Sequence, residues 1–257
     1  MSKVLAVANQ KGGVGKTTTS VNLGASMAAT KRRVLLIDLD PQGNATMGSG
    51  VNKNELESTS YDVLMGEQEI TDVIISSEEC HYDLLPSNAD LTGAEVALME
   101  EIAREVRLKN ALDVVQDKYD FIFIDCPPSL NMLTVNALVA ANAVIIPMQC
   151  EYFALEGLTA LLSTIEKIRK YLNPELKVEG LLRTMFDPRN NLANQVSAQL
   201  MEHFGEKVYR TIIPRNVRLA EAPSHGMPII TYDRSSRGAL AYLALAGEML
   251  NRQGKAA

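Results

Sequence analysis

The chain has little of what secretion or membrane insertion requires. Its three cysteines, Cys80, Cys126 and Cys150, are an odd number with no close pairing, which favours a reducing compartment over a disulfide framework. No apolar run approaches the length of a membrane span, and no basic-then-apolar leader precedes the first predicted strand at Val4. We therefore expect a cytoplasmic protein.

The chain also lacks a general excess of positive charge. Its formal net charge of −6 argues against a protein coated in basic residues. The charge is unevenly distributed, because residues 1–159 carry 11 Lys and Arg against 22 Asp and Glu, whereas residues 160–257 carry 14 against 9. This asymmetry is typical of a localised nucleic-acid surface, although charged faces are usually only solvated.

A glycine-rich stretch near the N-terminus carries the clearest chemical signal. It follows an apolar run, residues 4–8, that predicts a buried strand, and it precedes residues 17–30, which predict a helix. Strand, glycine-rich turn and helix are the context of a phosphate-binding loop, in which backbone N–H groups and the helix N-terminus face an anion. The predicted nucleotide-binding residues of this loop are Lys11, Gly12, Gly13, Val14, Gly15, Lys16, Thr17 and Thr18.

Two side chains of this loop have specific predicted roles. Lys16 reaches the β- and γ-phosphates, and the Thr17 hydroxyl ligates Mg²⁺. The loop also departs from the pattern G-x-x-x-x-G-K-[ST], since Gln10 replaces the first glycine and Lys11 adds a second lysine. Because Lys16 already serves the chain's own nucleotide, Lys11 is predicted to reach the nucleotide of a second subunit, as an arginine finger does. The alternative is that Lys11 is only solvated.

A carboxylate follows the second apolar run. Residues 34–38 predict a strand that leads into Asp40, and the C-terminal end of such a strand lies in the ligand crevice of an open α/β sheet. Asp40 is therefore predicted to reach the γ-phosphate side of the site, directly or through a water that Gln42 and Asn44 help to position. The alternative is that residues 40–44 are only a turn.

A second carboxylate closes the apolar strand at residues 119–125. An apolar strand ending in a single Asp is the Walker B arrangement, so Asp125 is predicted to hold Mg²⁺ through its water shell. The adjacent Cys126 is a candidate ligand or nucleophile, but a small buried residue is the favoured interpretation.

Strands and helices alternate along the whole chain, and 46% of its residues are hydrophobic. Further apolar runs at 82–86, 143–148, 178–185 and 208–213 predict strands. The alternation predicts an α/β fold: a single doubly wound domain, residues 1–257, with a mainly parallel sheet flanked by helices, of the P-loop NTPase type.

Residues 92–117 predict a long helical region. Its start at Thr92–Glu95 has capping-box spacing. Its apolar face, at roughly helical spacing, consists of Val96, Met99, Ile102, Val106 and Leu108.

Four stretches together resemble a known family. Residues 11–18, 38–46 and 124–129 look like the deviant Walker A ATPases of the MinD/ParA superfamily. The stretch 213–226, IPRNVRLAEAPSHG, is more specific and resembles the ParA/Soj chromosome-partitioning ATPases. The resemblance covers essentially the whole chain.

This resemblance implies an ATP-dependent switch that needs ATP and Mg²⁺. In that family ATP forms a sandwich homodimer, in which Lys11 would act across the interface and Asp40 would orient or activate the attacking water. The ATP dimer binds double-stranded DNA without sequence preference, and a ParB-type partner stimulates hydrolysis and releases the DNA. The chain is thus expected to be a slow, nucleoid-associated ATPase that segregates chromosome or plasmid DNA.

The resemblance also suggests roles for the basic C-terminal part and its loops. The DNA-binding candidates are Arg189, Arg215 and Arg218, with Lys207 and Arg210 as weaker ones; ordinary surface residues are the alternative. The loops 186–188 and 214–216 are expected to frame the adenine, so Pro214 and Asn216 are predicted to contact the nucleotide. Only three residues precede the first strand, so we expect a chromosomal-type or short form without a helix-turn-helix region.

Three alternative functions share parts of this pattern. A MinD-like membrane-associated ATPase needs a basic amphipathic C-terminal helix, and the tail 251–257 has no apolar face. A nitrogenase-type iron protein needs two suitably placed cysteines, which Cys126 and Cys150 do not match. A metabolic ligase on the same fold is harder to exclude, but it should turn over ATP only when a small acid is present.

Overall fold

Eight segments form the strands of one sheet in the computed structural model, which describes residues 2–254. The strands are β1 Lys3–Val7, β2 Val34–Asp38, β3 Ile75–Ser77, β4 Tyr82–Leu85, β5 Phe121–Asp125, β6 Ala143–Gln149, β7 Lys177–Phe186 and β8 Val208–Pro214. Their order is β3-β4-β2-β5-β1-β6-β7-β8, and every neighbouring pair is parallel except β3 and β4. The predicted mainly parallel α/β sheet is confirmed.

Helices connect these strands on both faces of the sheet. They are α1 Lys16–Ala29, α2 Asn44–Gly48, α3 Ser60–Met65, α4 Ile70–Val73, α5 Leu91–Ala97, α6 Arg107–Leu112, α7 Met132–Ala140, α8 Ala154–Tyr171, α9 Asn191–Phe204, α10 Val217–Glu221, α11 Ile229–Tyr232 and α12 Arg237–Gly254. None of them is long and apolar enough to cross a membrane within residues 2–254. Met1 and residues 255–257, the ends of the predicted domain and of its tail, lie outside the described residues.

The central strands are buried on both sides, which explains their continuous apolar sequence. In β5, Ile122 and Ile124 join the core under α7, α8 and α9, whereas Phe121 and Phe123 join the core under α1 and α12. Successive side chains of a strand point to opposite faces, so one five-residue run supplies two cores. The doubly wound arrangement follows from this pattern.

The register of the central strands sets the position of the site. Asp125 at the end of β5 pairs with Val7 of β1 on one side and with Asp38 of β2 on the other. The carboxyl ends of three parallel strands therefore meet at one edge. The connections from β1 and β6 leave in opposite directions along the sheet, and such a switch point is where open α/β sheets bind ligands.

The helical region predicted at residues 92–117 is not continuous in the structure. Helix α5 ends at Ala97, short 3-10 turns cover 98–100 and 104–106, and α6 begins only at Arg107. Between the turns Ala103 adopts a left-handed conformation with φ of 55°, which an uninterrupted helix excludes. The Arg104 guanidinium donates to the Met99 carbonyl at 2.8 Å and so satisfies a group that the helix would have bonded.

The apolar face and the start predicted for that helix are also wrong. Val96, Met99 and Ile102 are 71%, 66% and 89% exposed, whereas Leu108 is fully buried. The helix begins at Leu91, one residue before the predicted capping box, and the Glu95 carboxylate instead accepts a hydrogen bond from the side chain of Asn131. Tertiary contacts therefore override the local pattern here.

A close approach at Gly180 in β7 generates a stability prediction. A methyl group at Gly180 would lie 2.5 Å from the fully buried Tyr209 ring and 3.1 Å from the Lys207 carbonyl oxygen. Gly180→Ala should lower the free energy of unfolding by about 1–3 kcal/mol because the ring or the backbone must move. The matched control is Gly157→Ala in α8, where nothing lies within 4 Å, and it should raise stability by up to about 1 kcal/mol. Urea unfolding measures both, and equal stability of the two variants would contradict this account.

Candidate nucleotide-binding site

The loop between β1 and α1 has the backbone of an anion cradle. Gly13 and Gly15 have φ values of 71° and 87°, which side chains rarely tolerate. Gly15 is the N-cap of α1, and no side chain caps the helix, so its first N–H groups face the loop. Such a helix start attracts phosphate oxygens through both its N–H groups and its partial positive charge.

Neighbouring strand ends hold this loop in place. The Asn9 side-chain amide donates to the Pro147 carbonyl at the end of β6 at 2.7 Å. The Thr184 hydroxyl in β7 donates to the Val14 carbonyl, also at 2.7 Å. Thr184 is 170 residues away from Val14 and carries no motif, so sequence analysis missed this anchor.

Lys16 lies at the base of the cradle, where only 7% of it is exposed. Its ammonium lies 3.4 Å from the Lys11 carbonyl oxygen. Burial lowers the pKa of Lys16, and the negative charges of Asp125 and Asp40 oppose this effect. A partly desolvated cation at this position interacts strongly with an arriving phosphate, because water screens the pair poorly.

The predicted magnesium residues are in direct contact. The Thr17 hydroxyl donates to Asp125 Oδ2 at 2.7 Å, and the Ser20 hydroxyl donates to Asp125 Oδ1 at 2.8 Å. Burial raises the pKa of Asp125, and the neighbouring Asp38 raises it further, while the two hydroxyl donors lower it. A hydroxyl and a carboxylate oxygen are the hard ligands that Mg²⁺ prefers, so the donor set fits this metal. Ser20 was missed because its contact depends on the helix turn beside Asp125.

The two aspartates at the end of β2 and just beyond it, Asp38 and Asp40, have different environments. Asp38 is fully buried and accepts hydrogen bonds from the Thr46 N–H and hydroxyl, each at 2.8 Å, and from the Asp40 N–H at 3.1 Å. Asp40 accepts one bond, from the Gln42 N–H at 3.0 Å, and Gly43 N–H closes the turn on the Asp40 carbonyl. The turn and the candidate site therefore coincide: Asp38 holds the turn in place, and the charge of Asp40 contributes to raising the pKa of Lys16.

Lys11 differs from Lys16 in that its side chain lies on the surface. Its ammonium pairs with Glu151, just after β6, at 2.5 Å. Both side chains are about half exposed, at 41% and 51%. Glu151 was not identified from the sequence, because it is 140 residues away and belongs to no recognisable pattern. The Lys11 side chain is thus paired with Glu151 rather than free.

The two loops expected to frame the adenine converge on one cavity. Its volume is about 160 Å³ and it lies at the carboxyl ends of β6, β7 and β8. The lining residues are Gln149, Cys150, Glu151, Met185, Phe186, Asp187, Asn190, Ala193 and Arg215. The predicted contacts Pro214 and Asn216 are beside this cavity rather than in its lining, and Asn216 caps α10 by accepting the Leu219 N–H at 3.2 Å.

The three arginine candidates for DNA binding follow the carboxyl ends of β7 and β8, but two of them are paired. Arg189 forms a two-point contact with Asp187, at 2.9 and 2.7 Å, and this hydrogen bonding lowers the Asp187 pKa to about 2. Arg218 pairs with Glu221 at 2.9 Å and with Asp233 at 3.7 Å. Arg215 is exposed and lines the cavity. The surface is therefore less positive than its sequence suggests.

The weaker candidates and two further arginines are distributed differently. Lys207 lies before β8 and Arg210 in its first half, so the length of that strand separates them from Arg215. Arg234, just before α12, and Arg237, its first residue, are also exposed. The Arg218–Asp233 contact places this segment beside α10.

The cysteines are all buried and unpaired. Cys126 is fully buried, and burial raises the pKa of its thiol far above the usual range. The interpretation of Cys126 as a small buried residue is confirmed. Within residues 2–254 no group of three or more His, Cys, Asp and Glu side chains is arranged to hold a metal.

Comparison with known proteins extends these observations. A family model described as an AAA domain matches residues 2–178. Sporulation initiation inhibitor protein Soj of Bacillus subtilis is 55% identical over 249 residues, 97% of this chain and 98% of that protein. Chromosome partitioning protein ParA of Caulobacter vibrioides is 52% identical over 253 residues, 98% and 95% of the two chains.

Among solved structures, a similar fold is that of cobyrinic acid a,c-diamide synthase from Mycobacterium smegmatis with bound ADP and magnesium. Its TM-score is 0.88 at 38% identity, and the match covers 100% of this chain and 97% of that one. The identity to Soj and ParA is higher, and it extends over nearly the full length of both. The chain therefore belongs to the ParA/Soj family of chromosome-partitioning ATPases.

Proposed function

We propose that this protein is a switch ATPase that dimerises on ATP, binds DNA as the dimer, and releases it after hydrolysis stimulated by a ParB-type partner. One observation carries the proposal. Lys16, Thr17, Asp40 and Asp125 surround a single phosphate cradle, while the ammonium of Lys11 lies outside it on the surface. A site in which the side chain of Lys11 lies on the surface is suited to a nucleotide that is shared between two subunits. In the cell such a protein is cytoplasmic and nucleoid-associated.

Lys11 is proposed to act on the nucleotide of the second subunit. Its carbonyl faces Lys16, whereas its side chain extends away to Glu151. An exposed ion pair contributes little stability, typically below about 1 kcal/mol, so phosphate charge from a second subunit is sufficient to replace it. Dimer formation and release of Lys11 from Glu151 are then one step.

Within its own subunit, the nucleotide is proposed to lie along the strand ends. The cradle and Lys16 hold the phosphates, Thr17 and Asp125 hold Mg²⁺, and the base lies near the loops at 186–188 and 214–216. Bound Mg²⁺ would neutralise phosphate charge in the transition state. Asp40 is proposed to orient the attacking water, since it is the site carboxylate with the fewest internal hydrogen bonds.

The DNA surface is proposed to contain Arg189, Arg215 and Arg218, extended by Arg234 and Arg237. The pairing of Arg189 and Arg218 with carboxylates keeps the affinity of one subunit low, and a dimer presents two copies of the surface. Contacts to phosphate depend on counterion release, so binding should weaken steeply with salt. This arrangement links ATP binding to DNA binding without a specific DNA sequence.

The two lysines of the loop should be separable by mutation. Lys16→Ala should abolish nucleotide binding, because the buried cation that faces the phosphates is removed. Lys11→Ala should bind ATP within a few-fold of wild type but fail to dimerise, since only the contact across the interface is removed. Fluorescent-nucleotide titration and sedimentation velocity with ATP measure the two properties, with Lys109→Ala as an exposed-lysine control. Normal ATP-dependent dimerisation of Lys11→Ala would contradict the role across the interface.

Replacing the proposed water-orienting residue should trap the dimer. Asp40→Ala should keep ATP binding and dimerisation but lower the hydrolysis rate by at least about 100-fold, in the range typical of removing a general-base or positioning group. Phosphate release and sedimentation with ATP give the two readouts. Loss of the dimer in Asp40→Ala would assign Asp40 to assembly instead.

Charge reversal at Arg218 should weaken DNA binding. Arg218→Glu is expected to lower the affinity for nonspecific duplex DNA with ATP by at least about tenfold, and the slope of log K against log salt should become shallower by about 0.9 for each DNA phosphate that the variant no longer neutralises. Lys207→Glu makes the same charge change at the far end of β8 and is the control. Sedimentation with and without DNA at two salt concentrations measures the effect; equally weakened binding in the two variants would place the surface elsewhere.

The same assay separates a partition ATPase from a metabolic ligase. ATP turnover by a partition ATPase should respond to DNA and to the partner protein. Turnover that depends on a small carboxylic acid, and ignores DNA and partner, would refute the proposed function.

A further inference from the structure

The three exposed apolar side chains of the 92–102 segment, here called the α5 patch, have no partner in the described structure. The patch consists of Val96 in α5, Met99 in the following 3-10 turn and Ile102 just beyond that turn, spaced three residues apart in the sequence. The opposite side of the same segment already packs into the core through Leu91 and Leu98. The segment thus has two apolar sides, one buried and one open, and open apolar patches of this kind mark docking sites.

The charge around the patch is strongly acidic. Residues 90–105 contain five acidic side chains and a single basic one, Arg104. Glu101 pairs with Arg107 and Glu105 with Arg104, but Glu100 is exposed beside Met99. Complementarity across an interface favours a partner with apolar residues in its centre and Lys or Arg at its edge. A two-fold contact of the patch with itself would instead bring acidic groups together.

Two hydrogen bonds connect the segment that carries the patch to the nucleotide site. Glu95 in α5 accepts a hydrogen bond from Asn131, which caps α7 directly after the loop that follows Asp125. The chain just before α5 is also anchored, because the Ser87 hydroxyl donates to the Asp40 carbonyl at 3.0 Å. A ligand that shifts α5 would therefore move the loop that contains Asp40 and the loop that follows Asp125.

We propose that the α5 patch is the docking surface for a basic amphipathic segment of the partner protein that stimulates hydrolysis. The three exposed apolar side chains would contact the apolar face of a helical segment of the partner, with the basic side chains of that segment on the acidic rim. Docking acts on Asp40 and on the loop after Asp125 through the contacts of Ser87 and Glu95. This inference rests on the proposed function, since it names the surface through which the partner acts.

The test uses the full-length protein and the ParB-type protein of the same replicon as the probe. Val96→Ser, Met99→Ser and Ile102→Ser are combined in one variant, and Val114→Ser, an exposed apolar residue outside the patch, is the control. Because all three side chains are exposed, basal ATP hydrolysis and ATP-dependent DNA binding should remain within about twofold of wild type. Partner-stimulated hydrolysis should need at least about tenfold more partner.

Glu100→Lys should cause a smaller loss of stimulation that disappears at high salt.

Three outcomes would overturn the inference, each in a distinguishable way. Full stimulation of the triple variant shows that the partner binds elsewhere. Loss of ATP-dependent dimerisation in the triple variant assigns the patch to the contact between subunits. If the wild-type protein neither binds DNA with ATP nor responds to the partner, the proposed function itself fails and the inference fails with it.

Discussion

The hydrogen bonds from Thr17 and Ser20 to Asp125 are the contacts on which the site depends. They join the first turns of α1 to the end of a fully buried strand, and so fix the phosphate loop relative to the sheet. A buried carboxylate without donors would be costly, because burial favours its protonated form. The hydroxyls lower that cost and leave the site ready for a cation.

Two aspartates at the same edge of the sheet differ in how many hydrogen bonds their carboxylates accept. Asp38 and Asp40 are two residues apart, yet the oxygens of Asp38 are occupied by Thr46 and the backbone, while Asp40 keeps most of its capacity to accept hydrogen bonds. Asp38 is the last residue of β2 and Asp40 lies in the turn that follows, so the two carboxylates have different surroundings. A turn and the proposed water-orienting residue therefore occupy one loop.

Much of this arrangement could be predicted from the sequence, because its signals are local. The continuous apolar runs predicted the strands, and the glycine pattern between a strand and a helix predicted the phosphate loop with Lys16 and Thr17. The contacts of Thr184, Ser20 and Glu151 depend on how distant strand ends meet, which no local pattern encodes. The prediction of the helical region at 92–117 was wrong for a related reason. The fold buries Leu91 and Leu98 and leaves the predicted apolar residues Val96, Met99 and Ile102 exposed.

The pairing of Lys11 with Glu151 has a consequence for how the molecule responds to its ionic surroundings. Dissolved salt screens exposed charges, so it loosens the Lys11–Glu151 contact and at the same time weakens any contact of the arginines with phosphates of a duplex. Under the proposed function, the first effect frees Lys11 for the nucleotide of a second subunit, and the second weakens the contact of the arginines with DNA.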